Sequence, residues 1–145
     1  MKFTLVARIG LVVAVLSVVL LAFQESLFGT GILAIAIQIA AALLMIWARE
    51  TFGRRSFHVD ADPTEGGLMT VGPYRYLRHP IYASILYFVG AGVCSHLSFF
   101  SILEGTAVAV GLILRMRSEE RLLVERYPEY AAYAARTRRI IPFVL

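Results

Sequence analysis

The chain has 145 residues, of which 59% are hydrophobic and 17% are charged. Together with a mean hydropathy of +0.72, this composition is unusual for a soluble domain of this size and predicts an integral membrane protein. The formal net charge is +4, but the basic residues flank apolar segments and form no soluble basic domain, which argues against a nucleic-acid-binding protein.

Four apolar segments approach the length of roughly 20 residues that a membrane-spanning helix requires. They comprise residues 3–23, 30–48, 80–95 and 97–115. The last two are short and close together in the chain, so we expect them to form a helical hairpin. Glu104 lies inside the fourth segment, where we expect an ionisable side chain to have a buried structural partner. Cys94, the single cysteine, is expected to be a small packing residue.

The arginine residues predict how the helices are oriented in the membrane. Five arginines lie between the second and third apolar segments and seven lie at the end of the fourth segment or after it, whereas the turns at 24–29 and 94–98 contain neither Arg nor Lys. The positive-inside rule therefore places both termini and the segment 49–79 in the cytoplasm.

The predicted fold class is an all-α integral membrane protein with about four transmembrane helices. We interpret residues 1–145 as a single membrane domain with two transmembrane helices (1–48), a cytoplasmic connection (49–79), a transmembrane hairpin (80–115) and cytoplasmic C-terminal helices (116–145).

The connection leads into the stretch VGPYRYLRHPIYAS, residues 71–84, which places a polar cluster directly before an apolar helix. Pro80 suits the first position of a helix, and this places His79 at or near the N-cap. The free N–H groups that follow favour an anion, and Arg75 and Arg78 add to that preference. The alternative is a basic and aromatic membrane anchor, which accounts for the Arg and Tyr residues but not for the Gly-Pro and His-Pro pairs.

The segment 115–142, RMRSEERLLVERYPEYAAYAARTRRIIP, is expected to continue the fourth helix into the cytoplasm, and the proline of RYPEY to break it into two helices. An amphipathic tail that lies on the membrane is an alternative, but the adjacent carboxylates of Glu119 and Glu120 repel anionic lipid. These glutamates either bind a cationic or hydroxyl-rich ligand or pair with neighbouring arginines. For Arg138 and Arg139, contact with lipid phosphate is favoured over a clamp on an acidic group.

Together the two segments supply anion donors, carboxylate acceptors and tyrosine faces on one side of the membrane. Such a set suits a zwitterionic ligand with an aromatic base and a cationic centre, because tyrosine faces attract a cation. S-adenosylmethionine carries these groups. The composition alone does not choose it over other ligands.

The motif GPYRYLRHPIY, followed after the next apolar segments by the paired glutamates, a Y-x-x-Y spacing and a closing Ile-Pro, resembles the isoprenylcysteine carboxyl methyltransferase family. The related phospholipid N-methyltransferases share the general pattern. The resemblance covers approximately residues 47–143 and includes FGRRSF at 52–57; RYPEY departs from the Phe-Gly that family members often have there. It implies an integral membrane methyltransferase that uses S-adenosylmethionine, with a pocket open to the cytoplasm and a lipophilic substrate that approaches through the bilayer.

The resemblance also implies roles for individual residues. The implied cofactor-binding residues are Gly72, Pro73, Tyr74, Arg75, Arg78, His79, Pro80, Tyr82, Glu119, Glu120, Tyr130 and Tyr133. The implied catalytic residues are Arg115, Arg117, Glu119 and Glu120, where a glutamate holds cofactor hydroxyl or amino groups and an arginine orients a glutamate or a substrate carboxylate. No metal is expected, because in-line methyl transfer from a sulfonium depends mainly on holding the reacting atoms in line.

The methyl acceptor is left open by the sequence. A lipophilic acceptor is expected, such as the carboxylate of an isoprenylcysteine-like substrate, and a phospholipid headgroup amine or a small thiol is an alternative. An NADPH-dependent sterol-reductase-like protein and a non-catalytic membrane scaffold are alternatives from other classes. We expect membrane lipids and a lipophilic small molecule as partners, no nucleic acid, and a location in a bacterial or archaeal inner membrane with the cofactor site facing the cytoplasm.

Overall fold

The structure of the protein, a computed structural model, describes residues 2–53 and 67–141. The regular elements in these ranges are helical, which confirms the predicted all-α class. They are α1 (Lys2–Phe23), α2 (Ile32–Phe52), a 3₁₀ turn (Gly72–Arg75), α3 (Pro80–Ser95), α4 (Phe99–Arg126) and α5 (Tyr130–Arg136). Most of the FGRRSF stretch, whose similarity to the family is noted above, lies outside the described residues.

The apolar helices match the predicted spans. Helices α1, α2 and α4 are each long and apolar enough to cross a membrane, and α3 is an apolar helix of only 16 residues. Helix α4 continues past residue 115 without a break to Arg126, as predicted for the segment that follows the fourth apolar segment. Its last turns therefore extend beyond its apolar part and carry the paired glutamates. Pro128 lies between α4 and α5, as predicted for a residue that breaks a helix.

A stripe of small residues lets α1 lie closely against α4. The buried positions of α1 are Ala7, Gly10, Ala14, Ser17 and Leu21, which recur every three or four residues along the helix. The two helices touch at Gly10 and Gly111, where a Cβ atom built on Gly10 would lie 2.5 Å from the Gly111 carbonyl oxygen. Small residues allow such close backbone approach in membrane helices. Helix α2 packs on α3 and α3 on α4, so α3 and α4 are central to the bundle.

Polar side chains fasten the end of the bundle where α1 leads into α2 and α3 leads into α4. The buried amide of Gln38 donates two hydrogen bonds, at 2.9 and 3.0 Å, to backbone carbonyls of neighbouring segments. Glu104 accepts a hydrogen bond from Gln24 Nε2 at 2.7 Å, which is a structural partner of the kind expected. Cys94 is exposed on α3, so the expectation that it packs inside the protein is wrong.

Replacing Gly10 with Val is expected to separate α1 from α4, because the new side chain meets backbone that cannot move aside. Overpacking of this kind typically costs about 1–3 kcal/mol of unfolding free energy. Thermal unfolding of the purified protein in detergent measures the loss. Gly90→Ala is the matched control, because a Cβ atom at Gly90 meets nothing within 4 Å; equal stability of the two variants would contradict the assigned helix crossing.

Candidate functional site

The 3₁₀ turn and the start of α3 present His79 at the end of the bundle where α2 and α4 also end. Gly72 opens the turn with a φ of +58°, and a Cβ atom there would lie 2.6 Å from Thr51 Oγ1, so the turn requires glycine. Tyr74 is buried against Phe52 of α2, with the two rings 5.3 Å apart. His79 is the N-cap of α3 and Pro80 its first residue, as predicted.

His79 lies between the two glutamates of α4. Its Nδ1 atom is 3.8 Å from Glu119 Oε2, and its Nε2 atom is 3.4 Å from Glu120 Oε1. The residue is only 6% exposed, and its ring stacks on Tyr82 at a centroid distance of 5.6 Å. Successive residues of an α-helix point in different directions. The two carboxylates therefore lie on opposite sides of the His79 ring, and each contacts a different set of side chains.

Glu119 belongs to an inner cluster within the bundle, formed with Tyr82 and Arg115. The Tyr82 hydroxyl donates to Glu119 Oε1, and Arg115 Nε donates to the Tyr82 hydroxyl at 2.7 Å. Arg115 Nε also lies 3.1 Å from Glu119 Oε1, which is the i,i+4 ion pair expected along a helix. Arg115 is 3% exposed. A charge buried to this degree requires a paired and hydrogen-bonded partner, and Glu119 meets that requirement.

Glu120 belongs to an outer cluster with two arginines. Arg78 Nε lies 3.0 Å from Glu120 Oε1. Arg139 donates through Nε to both carboxylate oxygens, at 3.1 and 3.0 Å, and its Nη2 atom is 2.9 Å from Oε2. The hydrogen bond to Glu120 raises the pKa of Arg139, which stays charged. The guanidinium of Arg139 is thus held by a carboxylate of the protein. Its contact with lipid phosphate stays a prediction.

Arg78 also fastens the end of the described chain to the start of α3. Its Nη1 atom donates to the carbonyl oxygens of Ala134 and Thr137 at 2.6 and 2.7 Å. Residues 137–141, here called the C-terminal strap, run beside residues 76–79. The backbone N–H of Arg78 donates to Arg138 O at 2.6 Å, and that of His79 to Arg139 O at 3.2 Å. The partly buried guanidinium of Arg78 thus connects Glu120 of α4 to the end of α5.

Two tyrosine hydroxyls also hold α5 and the C-terminal strap against the rest of the bundle. Tyr133 of α5 donates to Tyr74 O at 2.7 Å, and Tyr87 of α3 donates to Ile140 O at 2.5 Å. Burial raises the pKa of Tyr133 to about 12, so this hydroxyl keeps its proton and its donor role at neutral pH. Tyr74 and Tyr133, both expected to bind cofactor, therefore support the site by holding α5 in place.

An open cleft of about 600 Å³ lies between the end of α4 and α5. Its walls are formed by Arg78, Arg117, Glu120, Arg121, Val124, Glu125, Tyr130, Ala131, Ala134 and Arg139. Tyr130 is 3% exposed, and its hydroxyl has no hydrogen-bond partner among the described residues. Burial, reinforced by the Glu120 carboxylate, raises the pKa of Tyr130. The cleft therefore offers a neutral hydroxyl, a carboxylate and guanidinium groups to a ligand.

The structure brings together seven of the residues expected in the site. They are Arg78, His79, Tyr82, Arg115, Glu119, Glu120 and Tyr130. Arg75 is exposed on the 3₁₀ turn, and Arg117 is an exposed residue of the outer cleft wall. Gly72, Pro73 and Pro80 shape the backbone around the site. Within the described parts of the chain, no three His, Cys, Asp or Glu side chains are grouped to hold a metal ion.

Replacing Arg78 with Lys is expected to release α5 and the C-terminal strap, because an ammonium cannot reproduce the fork that reaches Glu120 and two carbonyls. Hydrogen bonds to charged groups contribute about 1.5–3 kcal/mol each, so faster proteolytic removal of the chain after α4 is expected. Limited proteolysis followed by mass spectrometry measures the rate. Arg75→Lys is the matched control; identical digestion of both variants would rule out the fastening role of Arg78.

Comparison with known proteins identifies the family. The model of the phospholipid methyltransferase family matches residues 26–130. Two curated relatives are the cobalt-zinc-cadmium resistance protein CzcN of Cupriavidus metallidurans and the nickel-cobalt-cadmium resistance protein NccN of Alcaligenes xylosoxydans. Each is 34% identical over 76 residues, which is 52% of this chain and 35% and 36% of theirs, so the match spans about a third of these relatives. No solved structure matches the chain. The matched range includes α2, α3 and α4 with both glutamates, and leaves out α1 and all but the first residue of α5. The chain belongs to the phospholipid methyltransferase family of membrane proteins.

Proposed function

We propose that the protein is an S-adenosylmethionine-dependent methyltransferase that acts on a lipophilic acceptor at the cytoplasmic end of the helix bundle. The observation that carries the proposal is the division of Glu119 and Glu120 around His79. Each carboxylate has its own cationic partners, and the outer one faces a cleft large enough for a nucleoside-containing ligand. The arginines at this end of the bundle support a cytoplasmic location by the positive-inside rule.

The side chains of the cleft fit the groups of this cofactor. Arg78 and Arg139 are donors for a carboxylate, and Glu120 accepts from an ammonium or from hydroxyl groups. A buried hydroxyl without a partner costs about 1–3 kcal/mol, so the Tyr130 hydroxyl gains from a polar ligand atom beside it. When bound, the cofactor supplies an electrophilic methyl group on a sulfonium. The residues of the chain bind and orient it and exclude water.

The ion pairs favour an acceptor that is already ionised. Glu119 is hydrogen-bonded by Tyr82 and paired with Arg115, and Glu120 is paired with Arg78 and Arg139. Burial acts to raise the pKa of Glu120, but hydrogen bonds with His79 and Arg139 lower it overall, so this carboxylate is a weak proton acceptor. Burial raises the pKa of Glu119, whose Oε1 atom already accepts from Tyr82 and is paired with Arg115. A carboxylate or thiolate acceptor needs no base. A carboxylate of an isoprenylcysteine-like molecule is therefore our first candidate, and a small thiol reacting as its thiolate has the same requirement.

A phospholipid headgroup amine is the second candidate, and the family match favours it. An amine must lose a proton before it attacks the methyl group. His79 is our candidate for accepting that proton, because its imidazole lies between the two carboxylates of the site and histidine is a common general base. The two candidates thus differ in what His79 does: it orients the glutamates for an ionised acceptor, and it also takes up a proton for an amine.

S-adenosylhomocysteine is expected to raise the melting temperature of the purified protein, whereas NADPH is expected to leave it unchanged. A ligand that binds only the folded state stabilises it according to its concentration and affinity, and the assay separates a methyltransferase from a reductase-like protein. Stabilisation by NADPH alone would overturn the proposal. Stabilisation by neither compound would favour a non-catalytic scaffold.

Glu120→Gln and His79→Ala test whether these two residues belong to the cofactor pocket. Each is expected to weaken S-adenosylhomocysteine binding by at least about tenfold, since each removes a charged or hydrogen-bonding group beside the cleft. Glu50→Gln, at an exposed glutamate at the end of α2, is expected to leave the affinity unchanged. Unaltered affinity in both site variants would remove these residues from the cofactor pocket.

The acceptor class is tested by transferring labelled methyl from S-adenosylmethionine into a total lipid and small-thiol extract. A methyl ester is expected to form, and mild alkaline hydrolysis then releases the label as methanol. A methylated amine or thioether keeps its label under the same treatment. Alkali-stable label in the phospholipid fraction would replace the carboxylate candidate with the headgroup amine, and label in the small-thiol fraction would replace it with a thiol.

A further inference from the structure

Arg139 differs from the other two side chains that contact Glu120, which are Arg78 and His79. The guanidinium of Arg78 is 12% exposed and is also fixed by two backbone carbonyls, and His79 is buried beneath both glutamates. The side chain of Arg139 is 50% exposed, and every side-chain hydrogen bond described for it goes to Glu120. Of the three, Arg139 is therefore the partner whose side chain is free to exchange its acceptor.

We propose that Arg139 and Glu120 together bind the α-amino-acid end of the cofactor, an inference that rests on the proposed function. The ligand carboxylate takes the place of Glu120 on the guanidinium of Arg139. The ligand ammonium takes the place of Arg139 at the carboxylate of Glu120. The ion pair in the structure thus keeps the Arg139 guanidinium and the Glu120 carboxylate side by side, where a ligand that carries both a carboxylate and an ammonium can bind the two groups.

The exchange leaves no charge without a partner. Glu120 keeps Arg78 and His79 when Arg139 turns away, so its carboxylate remains paired throughout. The amino-acid group has no net charge, so the charge balance of the cleft is unchanged when it binds. A guanidinium also suits this role because its parallel N–H groups match the two oxygens of a carboxylate, as they do with Glu120.

The backbone of the C-terminal strap allows the side chain to move without losing its attachment. Arg139 O accepts from the backbone N–H of His79 at 3.2 Å, so the residue is held beside the site while its guanidinium turns. The buried hydroxyl of Tyr130 lines the same cleft as Glu120 and Arg139 and has no partner among the described residues. This hydroxyl is a second polar group at the same place that a polar ligand would satisfy.

Two probes separate recognition of the amino-acid end from recognition of the nucleoside. S-adenosylhomocysteine carries both parts, and 5′-methylthioadenosine carries the nucleoside and thioether without the carboxylate and ammonium. Isothermal titration of the purified full-length chain in nanodiscs measures the affinity for each. The wild-type protein is expected to bind S-adenosylhomocysteine more tightly than 5′-methylthioadenosine, because only the former reaches both Arg139 and Glu120.

Arg139→Gln is expected to weaken S-adenosylhomocysteine binding by about 10- to 100-fold and to leave 5′-methylthioadenosine binding unchanged. Arg138→Gln is the matched control at the neighbouring exposed arginine and is expected to change neither affinity. Arg139→Lys keeps the charge but not the fork, and an intermediate loss for S-adenosylhomocysteine is expected. It is also the variant to use should Arg139→Gln fold poorly.

Several results would overturn the inference. Equal weakening of both probes would make Arg139 a structural residue, and tighter binding of S-adenosylhomocysteine by Arg139→Gln would make it a competitor for Glu120. Unchanged affinities would leave it without a role in binding. Failure of the wild-type protein to bind either probe would overturn the proposed function itself, whereas equal affinity for the two probes would overturn only the assignment of Arg139 and Glu120.

Discussion

The pairing of buried charges at one end of an apolar bundle is the constraint on which the rest of the site depends. Arg115 and Glu119 lie near the end of the apolar part of α4, where a lone charge would be very costly. Their mutual ion pair, completed by the Tyr82 hydroxyl, satisfies both groups. Both charged groups lie on α4, and the Tyr82 hydroxyl of α3 bonds to each of them, so the requirement for neutralisation also fixes how the two central helices meet.

The geometry of the α-helix alone places the adjacent residues Glu119 and Glu120 in different environments. Consecutive side chains of an α-helix are turned by about 100° from each other, so Glu119 faces the bundle while Glu120 faces α5. His79 contacts both because it caps the helix that begins opposite them. In the function that we propose, the inner carboxylate, which the protein fixes, orients the acceptor, and the outer one beside the cleft holds the cofactor.

The sequence predicts the elements well and their long-range contacts poorly. The apolar lengths predict the helices, Pro80 predicts the start of α3, and i,i+4 spacing predicts the pair of Arg115 and Glu119, because each of these signals is local. The pair of Arg139 and Glu120 has no such signal. It crosses the break at Pro128 and depends on the parallel course of the C-terminal strap beside residues 76–79. Basic residues in a membrane protein are therefore easily assigned to lipid.

The shape of the cleft depends on the attachment of α5 and the C-terminal strap to the bundle. Arg78 holds Ala134 and Thr137 on one side and Glu120 on the other, so the cleft keeps its shape only while α5 is fastened. A half-exposed ion pair such as that of Arg139 adds little to stability, about 0–1 kcal/mol, whereas the buried bonds of Arg78 hold the segment. In the exchange that we propose, Arg139 therefore changes partners without releasing α5, because the bonds of Arg78 hold that helix.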